Sequence, residues 1–136
     1  MAVGRILEYR SDWGQNVNPN FIGWYPEARV SYPEDSSALQ VRAEPLYLQV
    51  YEPVDFPRLA ISGSVRTSGE NINLGLRQQD GSWQWQVVSA ENFNLTFDLS
   101  QASRQRNKLE FILSVPDLQA TSTLWLADDW QFIFSR

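Results

Sequence analysis

The chain has 136 residues, 43% of them hydrophobic and 20% charged, which predicts one globular domain over residues 1–136. Its net charge of −5 argues against nucleic-acid binding, which requires clustered Lys and Arg. It contains no Cys and no His, so disulfides, thiol chemistry and the commonest zinc ligand and general base are excluded.

No apolar run approaches the roughly 20 residues of a membrane-spanning helix. No signal peptide is visible at the start of the sequence. We therefore expect no membrane insertion by this segment. A piece of a longer exported or membrane-anchored protein remains compatible with these observations.

The first third of the chain mixes aromatic residues with residues that end strands. Residues 6–9 are able to pair as an edge strand, and residues 38–42 alternate as a strand. Trp13, Trp24 and Tyr25 fall in sequence that is typical of loops. Large aromatic residues in the loops of a sandwich either line a binding site or close one of its ends, and the sequence leaves both open.

The rest of the chain alternates apolar and polar residues with the period of two that is typical of half-buried strands. Asp80-Gly81 predicts a hairpin between two of these strands, and residues 100–107 are polar without strand character. About eight to ten short strands, with turn signals about every 8–12 residues, predict an all-β, single-domain antiparallel β-sandwich of the jelly-roll type.

Sorting the alternating positions predicts two faces with different chemistry. The aliphatic face, which we expect to form the core between two sheets, contains Leu46, Leu48, Val50, Leu59, Ile61, Val65, Ile72, Leu74, Leu76, Leu95, Phe97, Leu109, Phe111 and Leu113. The opposite positions are Tyr47, Gln49, Tyr51, Asn71, Asn73, Arg77, Gln84 and Gln86. Rings, amides and guanidinium groups suit a polar ligand such as a sugar, although a solvent-exposed sheet face favours the same residue types.

Trp83 and Trp85 share one side of a strand beside the predicted hairpin. Hydrophobic residues at a period of two usually face a core, and the alternative is that both rings line a groove. For the groove we predict a polysaccharide or glycan as the ligand. The predicted ligand-binding residues are Tyr47, Tyr51, Arg77, Trp83, Trp85 and Gln86.

Two alternative functions follow from the same sequence. The chain is compatible with a structural or protein-interaction domain of a larger exported or surface protein, with a protein partner in place of the glycan. A hydrolase requires two facing carboxylates, and no pair among the 16 acids is arranged so that the sequence certifies it. We therefore predict no catalytic residues and no enzyme activity.

The last stretch, residues 122–134, is a hydrophobic strand with Asp128 and Asp129 in its middle. A carboxylate in a half-buried strand needs a partner. One solution is a structural calcium ion held by one of these acids, by Glu8 or Asp12, and by loop carbonyls. The others are backbone N–H groups, an arginine, or water at a bend. The change of alternation at the two acids predicts a bulge there. No cofactor is certain.

Several stretches follow the order of strands in a known family. They are the aromatic residues Phe21, Trp24 and Tyr25, then residues 38–41 (ALQV), 59–66 (LAISGSVR), 72–76 (INLGL), 81–85 (GSWQW) and 124–132 (LWLADDWQF). This order resembles the galactose-binding-like jelly rolls, the β-sandwich of many carbohydrate-binding modules and of accessory domains of exported bacterial proteins. The resemblance implies carbohydrate recognition, favours an extracellular, periplasmic or cell-surface location, and matches Asp128 to a calcium ligand.

Overall fold

The computed structural model describes residues 6–11, 13, 20–32, 38–88 and 91–136. A single 3₁₀ turn, Glu27–Arg29, accompanies thirteen strands in these residues. The strands are β1 (Ile6–Arg10), β2 (Phe21–Tyr25), β3 (Val30–Ser31), β4 (Ala38–Val41), β5 (Leu46–Tyr51), β6 (Arg58–Thr67), β7 (Ile72–Arg77), β8 (Trp83–Val88), β9 (Glu91–Asp98), β10 (Arg104–Gln105), β11 (Lys108–Ser114), β12 (Leu124–Ala127) and β13 (Gln131–Ser135). Within the described residues, no helix has the length and apolar character to cross a membrane.

The strands form two antiparallel sheets. The first sheet has the order β1-β13-β6-β12-β4-β3, with β9 also paired to β6. The second sheet has the order β2-β5-β11-β7-β8, with β10 paired to β11. The predicted class, an all-β antiparallel sandwich, is confirmed. The structure has more strands than predicted because β3 and β10 contain only two residues each and the closing strand is interrupted.

The core lies between the two sheets and has the composition that the alternation predicts. Every residue of the predicted aliphatic face is buried, with an exposed fraction of at most 7%. A single hydrophobic cluster joins the inner faces of both sheets. Because alternate residues of a strand point to opposite sides, burying this face leaves the intervening side chains on the outer surfaces of the sandwich.

Several tryptophan rings pack against one another in this core. Trp13 and Trp24 are buried, and their ring centroids lie 5.5 Å apart in an edge-to-face contact. Trp13 contacts Trp130 in the same way at 5.6 Å. Both residues therefore belong to the core, and Trp24 and Tyr25 lie in strand β2, contrary to the expectation of a loop. Burial also raises the pKa of Tyr9, beside this cluster, to about 12, so its phenol stays neutral at physiological pH.

A register shift in β2 decides which of its aromatic residues enters the core. Gly23 pairs with Leu48, whereas Tyr25 pairs with Tyr47, so the pairing is irregular between Gly23 and Tyr25. Gly23 has a φ of +126°, and an added Cβ would stand 2.8 Å from the carbonyl oxygen of Tyr47. Only glycine tolerates this conformation and this close approach. As a result Trp24 points into the core and Tyr25 remains on the outer face.

The closing strand is interrupted at its two acids, as the sequence predicts. Leu126 pairs with Val65, whereas Gln131 pairs with Ser62, so four residues of this strand lie opposite two residues of β6. The extra residues form a turn that directs Trp130 inward, where it is fully buried. The predicted interruption of pairing at Asp128-Asp129 is therefore confirmed.

A buried ion pair holds two loops against the core. The side chain of Glu52 is fully buried, and its Oε1 lies 2.5 Å from Nε of Arg104. Its Oε2 accepts the backbone N–H of Phe56 at 3.0 Å. Arg104 in turn donates to the carbonyl oxygens of Phe56 and Leu99, at 3.1 and 3.3 Å. One carboxylate and one guanidinium group thus connect the segment after β5 to β10 and to Leu99.

Candidate binding face

The outer face of the second sheet carries a row of side chains that crosses five strands at one level. In register, the row consists of Tyr25, Tyr47, Ile112, Gly75 and Trp85. Gly75 has no side chain and so leaves room for a neighbouring side chain in this row. An added Cβ there would stand only 3.0 Å from the Trp85 ring. The Trp85 indole therefore lies over the backbone of Gly75, and 47% of its surface is exposed.

Trp83 and Trp85 both lie on this outer face, so the alternative that they belong to the core is wrong. Their ring centroids are 6.3 Å apart, with 43° between the ring planes. The guanidinium carbon of Arg77 stands 4.5 Å from the centroid of the Trp83 ring. This cation–π contact fixes the Trp83 ring beside a charged group.

A network of polar side chains continues from Arg77 across the face. Arg77 Nε lies 2.6 Å from Oε1 of Glu110, and the Tyr25 hydroxyl donates to Oε2 of the same carboxylate at 3.2 Å. Gln49 Nε2 donates to the Tyr25 oxygen at 3.3 Å. Burial, together with the nearby Glu110 carboxylate, raises the pKa of Tyr25, which keeps the hydroxyl neutral and able to donate. The Tyr25 ring also stacks on that of Tyr47 at 5.7 Å.

A groove of about 370 Å³ opens beside this network. Its lining combines amide, hydroxyl and charged side chains from β5, β7, β11 and the segment around β10: Gln49, Arg77, Ser103, Gln105, Arg106, Lys108 and Glu110. The volume lies in the range of about 300–1,000 Å³ that small-ligand sites occupy. The groove adjoins the aromatic row, because Arg77 contacts Trp83 and because Gln49 and Glu110 bond Tyr25; we call the row, Trp83 and the groove together the binding face.

Most of the predicted ligand-binding residues fall on the binding face. Tyr47, Arg77, Trp83 and Trp85 are part of it. Tyr51 lies on the same side of β5 as Tyr47, opposite Lys108 at the rim, and is 38% exposed.

Gln86 does not share this face, contrary to the prediction, and Gln84 does not either. Since Trp83 and Trp85 point outward, the residues between and after them point toward the other sheet. There Gln86 donates to the carbonyl oxygen of Thr96 at 3.2 Å, and Gln84 bonds both the N–H and the C=O of Asp98. Because β8 is an edge strand, its inner amides reach the backbone of β9 and connect the two sheets.

Sequence reasoning missed Glu110 and Tyr25 as members of the face. Glu110 stands between two core residues of β11, so the period of two already places its carboxylate on the outer side. The signal was present, but acids in strands are common. The position of Tyr25 depends on the irregular pairing at Gly23, which the local pattern does not show.

Structural comparison finds similarity to carbohydrate-binding modules. The chain is similar to the carbohydrate-binding module CBM36 in complex with calcium and xylotriose, with 12% sequence identity and a TM-score of 0.43 over 93% of this chain and 97% of that one. It is also similar to TmCBM61 in complex with β-1,4-galactotriose, with 14% identity and a TM-score of 0.35 over 72% of this chain and 66% of that one. No protein-family model matches the chain, and no curated protein sequence matches it. These likenesses are distant and assign no ligand to the chain.

Asp128, the predicted calcium ligand, is satisfied by hydrogen bonds from the other end of the chain. Its Oδ1 accepts the backbone N–H of Trp13 at 2.8 Å and the hydroxyl of Ser11 at 3.1 Å. The carboxylate of Asp129 accepts the backbone N–H and the hydroxyl of Ser64, at 3.0 and 2.6 Å. Both acids of the pair are therefore paired with protein donors.

These contacts give the Asp128 carboxylate partners in the described part of the chain without a calcium ion. A calcium ion requires six to eight oxygen ligands, whereas N–H and O–H donors point at Asp128. The described residues contain no group of three or more acids that would hold a metal ion. Of the other predicted ligands, Glu8 is exposed in β1, and Asp12 lies outside the described residues. Asp128 joins the N-terminal segment to the closing strand.

We expect Asp128→Ala to lower the free energy of unfolding by about 1.5–3 kcal/mol, because Trp13 N–H and the Ser11 hydroxyl lose a charged acceptor. Asp129→Ala is the matched control and should cost less than about 1 kcal/mol, because the Asp129 side chain and its bonds to Ser64 are exposed to solvent. Urea unfolding followed by intrinsic fluorescence measures both. The cost of Asp128→Ala should be equal in excess calcium and in a chelator, and a loss that appears only with calcium would contradict this role.

Proposed function

We propose that the chain is a non-catalytic carbohydrate-binding module that holds a saccharide on the outer face of its second sheet. The observation that carries the proposal is the pair of tryptophan rings, Trp83 and Trp85, on an exposed surface beside a polar groove. Exposing a large aromatic ring forgoes the stabilisation of burying it, so an exposed indole indicates a ligand that covers it.

The chemistry of the face matches both the apolar C–H groups and the polar hydroxyl groups of a sugar ring. The Trp85 indole lies along the sheet and offers a flat apolar surface to the C–H side of a sugar. The groove offers amide, hydroxyl and carboxylate groups, which donate to and accept from sugar hydroxyls. The residues are held in place beforehand by the contacts of Arg77 with Glu110 and Trp83, which reduces the entropy lost on binding.

The groove supports binding without hydrolysis. Among its described lining residues, Glu110 is the one carboxylate, and its two oxygens already contact Arg77 and Tyr25. Glycosidases use two carboxylates about 5–10 Å apart on either side of the scissile bond. A module of this kind meets glycans outside the cytoplasm, so the proposal includes an extracellular, periplasmic or cell-surface location.

Isothermal titration with a panel of oligosaccharides tests the proposal. The panel includes xylotriose, its glucuronic acid-substituted form, β-1,4-galactotriose and the triuronic acid of the same linkage. We expect saturable binding of at least one member with a dissociation constant below about 1 mM, which corresponds to about −4 kcal/mol. Quenching or a spectral shift of tryptophan fluorescence should accompany it. No saturable binding to any member of the panel would contradict the proposal.

A structural or protein-interaction role is the second candidate, and one observation favours it. Val87 is 67% exposed beside Trp85 on β8, which is the edge strand of the second sheet. Exposed apolar residues on an edge strand provide a template for pairing with a second copy of the chain. Sedimentation equilibrium should then show a dimer that Val87→Ser disrupts. A concentration-independent monomer would remove this candidate.

A further inference from the structure

The groove of the binding face has a charge opposite to that of the chain as a whole. Three of its lining residues, Arg77, Arg106 and Lys108, are cations, and one, Glu110, is an acid. Glu110 is ion-paired with Arg77. In the described part of the chain, Arg106 and Lys108 have no ion-pair partner. Two uncompensated cations therefore line one groove of a protein whose net charge is −5.

The backbone conformation at Arg106 is unusual for an arginine. Arg106 and Asn107 have φ values of 54° and 63° and form the two-residue turn between Gln105 and Lys108, which pair directly. Turns with two positive φ values favour Gly, Asn and Asp, so Asn107 is suited to its position and Arg106 is not. A non-glycine residue in this region costs free energy, and such residues cluster at functional sites.

The turn is also held firmly in place. The carbonyl oxygen of Asn107 accepts the backbone N–H of Glu52 at 2.6 Å, next to the buried ion pair of Glu52 with Arg104. The backbone of the turn that carries Arg106 is therefore anchored beside the buried ion pair. An arginine that is disfavoured by its turn and yet lines a groove indicates a function for its charge.

We propose that the groove takes an acidic sugar, one whose ring carries a carboxylate or a sulfate, with this anion bound by Arg106 and Lys108. This inference rests on the proposed function and deepens it by naming the class of saccharide. Charge-assisted hydrogen bonds from cations to carboxylate or sulfate are about twice as strong as neutral ones. Neighbouring Gln105 and Ser103 supply neutral donors for the remaining oxygens of the sugar.

Titration of matched neutral and acidic saccharides tests the inference. The pairs are β-1,4-galactotriose with the β-1,4-linked triuronic acid of galactose, cellotriose with its triuronic acid, and xylotriose with its glucuronic acid-substituted form. Sulfated galactotriose distinguishes a sulfate from a carboxylate as the preferred anion. At low ionic strength we expect the acidic member of at least one pair to bind about tenfold tighter than the neutral member. This preference should decrease as added salt screens the charges.

Arg106→Asn is the informative variant because asparagine is favoured in the left-handed region that this turn requires. Its melting temperature should be equal to or higher than that of the wild type, while the ratio of acidic to neutral affinity falls toward one. Lys108→Gln should reduce the same ratio. Arg42→Gln removes an exposed arginine that does not line the groove, and it should leave the ratio unchanged.

The outcomes separate the two proposals. Equal affinity for neutral and acidic members overturns the acidic-sugar inference and leaves the proposed function in place. An acidic preference that Arg106→Asn and Lys108→Gln do not reduce also overturns the inference, because the anion then lies elsewhere. Absence of binding by every saccharide overturns both proposals.

Discussion

Replacing Glu52 by alanine is expected to lower the free energy of unfolding by about 3–5 kcal/mol, the cost of breaking a buried ion pair by removing one partner. The Glu52 side chain is fully buried, so its removal leaves the Arg104 guanidinium without its main counter-charge in a largely desolvated position. The Glu52 carboxylate is also the first cause of the raised pKa of Arg104. The N–H of Phe56 loses its acceptor in the same variant.

This loss is a large share of the total stability that a domain of this size has, about 5–15 kcal/mol. The melting temperature should fall by about 10–20 °C. Asp55→Asn is the matched control, because Asp55 also lies near Arg104, with Oδ1 at 3.3 Å from Nε, but its side chain is 79% exposed. Its cost should be below about 1 kcal/mol. Equal losses for the two variants would contradict the assigned role of Glu52.

Replacing Trp85 by alanine is expected to weaken saccharide binding by about 30-fold or more, a loss of about 2 kcal/mol that is typical of a central aromatic contact. Its effect on stability should be small, below about 1 kcal/mol, because almost half of the ring is exposed in the free protein. Trp83→Ala should also weaken binding, because Arg77 loses the ring on which it stacks. Titration calorimetry and urea unfolding separate these two effects.

Trp125 provides the matched control for this prediction. It lies on β12 of the first sheet, is partly exposed, and lines a separate groove away from the binding face. Trp125→Ala should leave saccharide affinity unchanged. Conversely, Trp130→Ala removes a fully buried ring and should cost about 3–5 kcal/mol of stability. Loss of binding in Trp125→Ala with retention in Trp85→Ala would move the site to the first sheet.

The alternation of apolar residues was sufficient to predict the part of the core that the middle strands contribute. A buried position in a strand is decided by its neighbours two residues away, so local sequence contains the information. The same period also predicts that Trp83 and Trp85 share one side of β8. Whether that side is the inner or the outer face depends on how β8 pairs with β7, where Gly75 lies opposite Trp85. The local sequence of β8 does not give this pairing.

The errors at Gln84 and Gln86 have a different cause. Their polar side chains suggested the outer face, although the period of two excludes them from the side that Trp85 occupies. An amide is tolerated on the inner side of β8 because it bonds the backbone of β9 at the edge of the sandwich. Residue type predicts burial less well at an edge, where backbone groups of the other sheet are within reach.

Long-range contacts explain what else the sequence did not show. The ion pair of Arg77 with Glu110 requires β7 and β11 to be neighbours, although 33 residues separate the two side chains in sequence. The partners of Asp128 are 115 and 117 residues away along the chain. The local sequence around Asp128 therefore does not distinguish a calcium ligand from a hydrogen-bond acceptor for the N-terminal segment.

The most direct test of the central claim follows the six indole N–H signals of the protein by ¹H–¹⁵N NMR during a saccharide titration. We expect the signals of Trp83 and Trp85 to shift progressively to saturation. The buried indoles of Trp13, Trp24 and Trp130, and that of Trp125 on the first sheet, should remain nearly unchanged. Saturable shifts of Trp125 with unchanged signals of Trp83 and Trp85 would contradict the assignment of the binding face.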